Sequence, residues 1–189
     1  MFIKSAIPAT RAYTIVEIMV AVAVFSISAL ALSSIFVFSI RSYAAMANYA
    51  LLDQKNRQAM DQLTYEIRQA RNVVGYSSNS TSSSLTITNG DGLRVTYTFD
   101  SPNQQVTRTA SGSSSTVLTN CSLLNFNLYM RPPTNGSFDV YPINLSNNWQ
   151  QTVKVVQLSW KTSMTLPGPR VTSEDIQTAR IVIRKQQNN

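Results

Sequence analysis

Histidine is missing from all 189 residues. That absence removes the commonest general base, the commonest metal ligand and every Ser-His-Asp or Cys-His arrangement, so most hydrolytic designs are excluded and the chain does not read as an enzyme. Cysteine occurs once, at Cys121, which excludes an intramolecular disulfide; the single thiol could at most join two chains, and a buried, inert side chain is the expectation. The few glycines sit in turns among polar neighbours rather than at a strand-to-helix junction, so there is no phosphate-cradling loop and no cofactor is implied. Asp91 and Asp100 flank one expected strand, and Glu174 with Asp175 is expected in a loop; no spacing among them matches a dedicated calcium loop. Turn and capping roles explain them better, and no metal centre is expected.

Charge is also scarce, at 13% of residues, and acids are scarcer than bases, with 9 against 16. The abundance of Ser, Thr, Asn and Gln beside so few charges suits a protein that faces the outside of a cell. A formal charge of +7 raises the question of nucleic acid. The distribution argues against it. Lys4 and Arg11 precede the long apolar run; Lys55, Arg57, Arg68 and Arg71 alternate with acids along an expected helix; Arg94, Arg108, Arg131, Lys154, Lys161 and Arg170 are each isolated; and Arg180, Arg184 and Lys185 read as a solvated strand face.

What is present in quantity is one apolar stretch. From Ile18 to Ile40, about 23 residues pass without Pro, Gly or charge, enough at a rise of ~1.5 Å per residue to cross a hydrocarbon core of about 30 Å. Ser26, Ser28, Ser33, Ser34 and Ser39 do not oppose this reading, because a helical hydroxyl can bond a preceding carbonyl. One carboxylate, Glu17, stands at its threshold. A charge there needs a partner or an interfacial position, since insertion scales put its cost near the bilayer centre at about 2.5–3.5 kcal/mol. Basic residues on the amino-terminal side favour a cytoplasmic amino terminus with the rest of the chain outside the inner membrane.

Arg11, Ala12, Tyr13 and Glu17, followed by this run, resemble the prepilin signature of type IV pilins and type II secretion pseudopilins. The resemblance implies that a membrane prepilin peptidase cuts between Ala12 and Tyr13 and methylates the new terminus at Tyr13. It implies also that Glu17, fifth residue of the mature chain, neutralises the terminal ammonium of a neighbouring subunit during filament assembly. Two opposite charges buried among apolar helices are each costly alone and less costly together. Two departures stand out: Ala12 takes the place of the family's glycine, and Tyr13 that of its commoner phenylalanine. The partners implied are other pilin or pseudopilin subunits, the peptidase, inner-membrane lipid and an inner-membrane assembly platform.

Beyond Arg41 no Gly or Pro occurs until Gly75, and Leu52, Ala59, Met60, Leu63, Ile67, Ala70 and Val74 recur on one helical face. The sequence therefore predicts a leader over 1–12, a long helix over 13–75 with its membrane half at 18–40, and a β-rich head over 76–189. The polar stretch Tyr76–Ser84 reads as a flexible connection. After it come strand candidates at Leu85, Arg94, Gln105 and Thr116, read as an antiparallel meander, then others from Leu123, Ser137, Val153 and Ala179, with Arg131-Pro132-Pro133 and Pro167-Gly168-Pro169 in loops. The class is α+β: a long amino-terminal helix packed on a mostly antiparallel sheet. That shape, and the stretch from Ala59 to Val74, is similar to J-type minor pseudopilins and W-type minor pilins.

An alternative is a secreted or tethered β-domain binding module behind an ordinary signal, cut after Ala29-Leu30-Ala31 so that the chain starts at Leu32. Against it, the run exceeds the usual length of such a signal and Glu17 interrupts its start. Trp149, Trp160, Tyr129 and Tyr141 are the aromatics that such a module would use on sugar, although strand packing accounts for them better.

Overall fold

The computed structural model describes residues 13–130, 139–145, 148–165 and 172–184. The leader with Ala12, the two proline loops and the start of the strand expected at Ser137 lie outside the described residues. The chain divides into two units at Ala44/Ala45.

In the first unit, helix α1 (Ile15–Gln69, which continues into the second) carries an apolar surface with no packing partner: Phe25 is 73% exposed and Phe38 likewise 73%. It is the one helix among the described residues long and apolar enough to cross a membrane. Four of the five serines behave as expected: Ser26, Ser28 and Ser33 donate to the carbonyls four residues back, at 2.7, 2.9 and 2.8 Å, and Ser34 donates to Ala31, so these four hydroxyls are satisfied within the helix.

In the second unit, α1 buries Leu52, Asn56, Ala59, Leu63 and Ile67. The helix was expected to run to 75, but it ends at Gln69. Ala70 N–H closes on Ile67 O at 3.2 Å, and the next donors turn to the sheets: Arg71 N–H bonds Thr88 O at 2.8 Å, and Arg184 N–H caps Arg68 O at 3.2 Å. Asn72-Val73-Val74 then form strand β1 (Asn72–Ser78), because two β-branched residues in succession fit a pleated surface better than a helix end. Val74 therefore belongs to β1 and not to the helical stripe.

β1 pairs with β2 (Ser82–Thr88), so Tyr76–Ser84 is mostly a serine-rich hairpin rather than a flexible connection. Backbone pairing of Ser77 with Ser84 and of Ser78 with Ser83 supplies the order that apolar burial does not. The meander continues through β3 (Arg94–Asp100), β4 (Gln105–Ala110) and β5 (Ser113–Leu118) in a five-stranded antiparallel sheet of order β1-β2-β3-β4-β5. The β4–β5 turn is the two-residue type that needs positive φ twice; Ser111 (51°) and Gly112 (80°) supply it. Alternation places Leu85, Ile87, Val95, Tyr97 and Val106 inward, with Ser83 buried on the same face of β2, and leaves most Thr and Ser outward.

A second sheet, order β7-β6-β8-β9, comprises β6 (Cys121–Met130), β7 (Tyr141–Pro142), β8 (Val153–Thr165) and β9 (Thr172–Val182), with a short helix α2 (Trp149–Thr152) before β8. Glu174 and Asp175, expected in a loop, are in β9, drawn in by pairing with Ser163 and Thr162 of β8. Leu63, Ile67, Val73, Tyr97, Leu124, Phe126, Leu158 and Trp160 join in one core between helix and sheets. Each large apolar side chain buried there contributes about 1.5–3 kcal/mol. Tyr76 ties the two sheets together, its hydroxyl donating to Phe126 O at 3.0 Å. Cys121 is fully buried, and desolvation pushes its thiol up to about 11, so it is inert as expected.

Candidate assembly site at the amino end of the helix

Thr14 opens the helix. Its carbonyl accepts the first helical bond, from Ile18 N–H at 3.2 Å, and its Oγ1 accepts from Glu17 N–H at 3.3 Å. A threonine at the N-cap with glutamate three residues later is the pattern of a capping box, and a carboxylate in the first turn complements the positive end of the helix dipole. Thr14-Ile15-Val16-Glu17 thus carries a local capping signal, beside the spacing of Glu17 from Tyr13 and the cost of its charge at the threshold of the apolar run.

Tyr13 lies just before the helix and is 75% exposed. Tyr13, Glu17, Ile18, Ala21, Val22 and Phe25 line one shallow recess along the helix. Glu17 is its one charged group, and among the described residues its carboxylate has neither a hydrogen-bond donor nor a cation. Chemically, the recess is an apolar strip holding a single anion, suited to receive a cation carried on another apolar surface. Ala12 lies outside the described residues.

The other residues singled out by sequence take structural positions. Asn89 Oδ1 accepts from Asp91 N–H at 2.9 Å and Leu93 N–H at 3.0 Å, fixing the β2–β3 turn with Gly92 at φ 83°. Asp100 accepts from Asn103 at 2.6 Å, and Glu174 pairs with Lys161 at 2.8 Å. Among the described residues, no three of His, Cys, Asp and Glu gather as a metal site. Trp160 is 1% exposed and Trp149 packs against the core, so the two tryptophans serve packing, whereas Tyr141 is exposed and Tyr129 is half-buried.

Two polar clusters in the second unit escaped sequence reasoning. Asn56 is buried, donates to Thr162 Oγ1 (2.8 Å) and Asp175 Oδ2, and accepts from Trp160 Nε1 (3.1 Å). Glu66 accepts from Tyr97 Oη at 2.7 Å and from Arg108 Nε at 2.9 Å. The signal for the first was a gap: Asn56 takes a position in the stripe where Leu52, Ala59 and Leu63 are apolar.

Residues 8–33 match the family model described as the prokaryotic N-terminal methylation motif. The chain carries a prepilin-type amino terminus. With the long apolar helix, this is consistent with the type IV pilin and pseudopilin family. No curated protein and no solved structure matches the chain significantly. The prepilin-type segment covers the recess at Tyr13 and Glu17, while the two-sheet head stands outside the matched residues.

Proposed function

We propose that the chain is a structural subunit, of the minor kind, in a type IV pilus-like or type II secretion pseudopilus filament. Prepilin peptidase removes residues 1–12 and methylates Tyr13, and the subunit waits in the inner membrane with its amino terminus cytoplasmic and its head outside. The assembly platform then adds it to other pilin or pseudopilin subunits. Glu17 receives the terminal ammonium of a neighbour, and the fold of the head is compatible with a J-type or W-type subunit.

The observation that carries this reading is the prepilin-type match over residues 8–33, within which Glu17 is the one anion on an otherwise apolar helix surface. A photo-crosslinking residue in place of Ala21, in the native host, tests it. Crosslinks to other prepilin-type subunits are expected. Crosslinks to lipid alone, with release of a soluble chain starting at Leu32, would support the secreted binding module instead.

A further inference from the structure

Helix α1 begins at Ile15, and Tyr13 and Thr14 stand outside it. One side chain accounts for that boundary. A helix one residue longer would need Glu17 N–H on the carbonyl of Tyr13, four residues back. That donor goes instead to Thr14 Oγ1, at 3.3 Å, while Thr14 O takes Ile18 N–H at 3.2 Å as the first helical bond. The threonine hydroxyl therefore occupies the donor on which growth of the helix toward the amino terminus depends.

The residues on that side carry no glycine or proline between Pro8 and Thr14 to stop such growth. Ala12 stands where the prepilin signature has glycine, and alanine is the best helix former where glycine is among the worst. The exchange removes a helix breaker from the amino side of the bond between Ala12 and Tyr13. The cap at Thr14 supplies a stop on its carboxyl side.

We infer that Thr14 is a positioning residue for removal of the leader: by capping α1 it keeps the Ala12–Tyr13 bond out of the helix, open to a peptidase. The inference rests on the processing at Tyr13 proposed above. In that hydrolysis water gives its hydroxyl to the Ala12 carbonyl carbon and its proton to the Tyr13 nitrogen, and the C–N bond between them breaks. Inside a helix the same carbonyl would be engaged by Val16 N–H and screened by the surrounding turn, so attack on it requires that the helix end beyond it.

The full-length precursor in detergent is incubated with prepilin peptidase of the native host, and kcat/KM is taken from the appearance of the Tyr13 terminus. Thr14→Val keeps the shape and loses the cap; kcat/KM should fall about five-fold, the change in helix extension that loss of an ordinary cap produces. Thr14→Ser and Thr14→Asn differ in shape but cap at least as well, and should stay within about two-fold of the unaltered chain. In an Ala12→Gly background the loss caused by Thr14→Val should shrink to within about two-fold, because glycine interrupts the helix on the other side of the bond. The Cα chemical shift of Tyr13 should move toward its helical value in Thr14→Val and not in Thr14→Ser. Equal rates for the unaltered chain and Thr14→Val would overturn the inference. So would Thr14→Ser and Thr14→Asn as slow as Thr14→Val, or a loss that Ala12→Gly leaves undiminished, either of which assigns Thr14 to direct contact with the peptidase. Cleavage of the unaltered chain at Leu32 and not at Tyr13 would overturn the proposed function together with this inference.

Discussion

Trp160 donates its indole N–H to the side-chain carbonyl of Asn56 at 3.1 Å, and both residues are buried. This bond and those to Thr162 and Asp175 fix the axial position of α1 against β8 and β9, where apolar contacts alone would let the helix slide. Asn56→Ala strands the Trp160 donor and removes one donor from Asp175, which should cost about 2–4 kcal/mol. Urea unfolding of a soluble chain starting at Arg41 should show the midpoint falling with an unchanged slope. A cost below about 0.5 kcal/mol would show that water replaces these bonds and that the network does not set register.

That shorter chain carries a prediction of its own. The second unit contains the core from Ala59 to Ile183, and the first contributes none of it. A chain beginning at Arg41 should therefore be soluble, show β signal in circular dichroism and unfold cooperatively. Aggregation or loss of the β signal would place the boundary elsewhere.

Tyr97 gives the head an alkaline limit. Its phenol is pushed above the ordinary tyrosine range by burial first, and then by its hydrogen bond to the Glu66 carboxylate. With the folded value raised, this group's stabilisation is complete below the unfolded value of about 10 and is lost as pH rises above it, by about 1.4 kcal/mol per pH unit. Tyr97→Phe should lower stability at neutral pH by about 1–2 kcal/mol through loss of the bond to Glu66, and should flatten the fall above pH ~10. Denaturant midpoints at pH 7, 9 and 10.5 check both; an equally steep alkaline fall in the variant would assign it to another group.

Much of the head was legible because it depends on short periods. Alternation in Arg94–Asp100, Gln105–Ala110 and Val153–Trp160 identified strands, and Leu52, Ala59, Leu63 and Ile67 identified the buried face of α1. β1 was not legible in the same way, since Arg71 N–H and Arg68 O find their partners in residues remote in sequence. The division into two sheets and the Asn56 network are likewise products of long-range pairing. Of the candidate site, Tyr13 and Glu17 were visible as a pattern, and the Thr14 cap was visible but overlooked.

Glu17→Gln separates an interfacial role from an assembly role. For a group resting at the membrane surface, the amide is nearly neutral because it keeps the shape and removes a charge. Where Glu17 meets a neighbour's ammonium inside a helical bundle, the variant leaves that cation unpaired, at about 3–5 kcal/mol. Filament yield and crosslinking to neighbouring subunits should collapse while membrane insertion persists. Unchanged crosslinking and yield would remove the assembly role of Glu17.

Processing at Tyr13 is the central claim, and mass spectrometry of the mature amino terminus tests it most directly. Chain purified from cells with active prepilin peptidase should yield an amino-terminal peptide that begins at Tyr13 and is heavier by one methyl group on its α-nitrogen, with Glu17→Gln processed in the same way. A terminus at Leu32, or retention of Met1 to Ala12 under those conditions, would contradict the account.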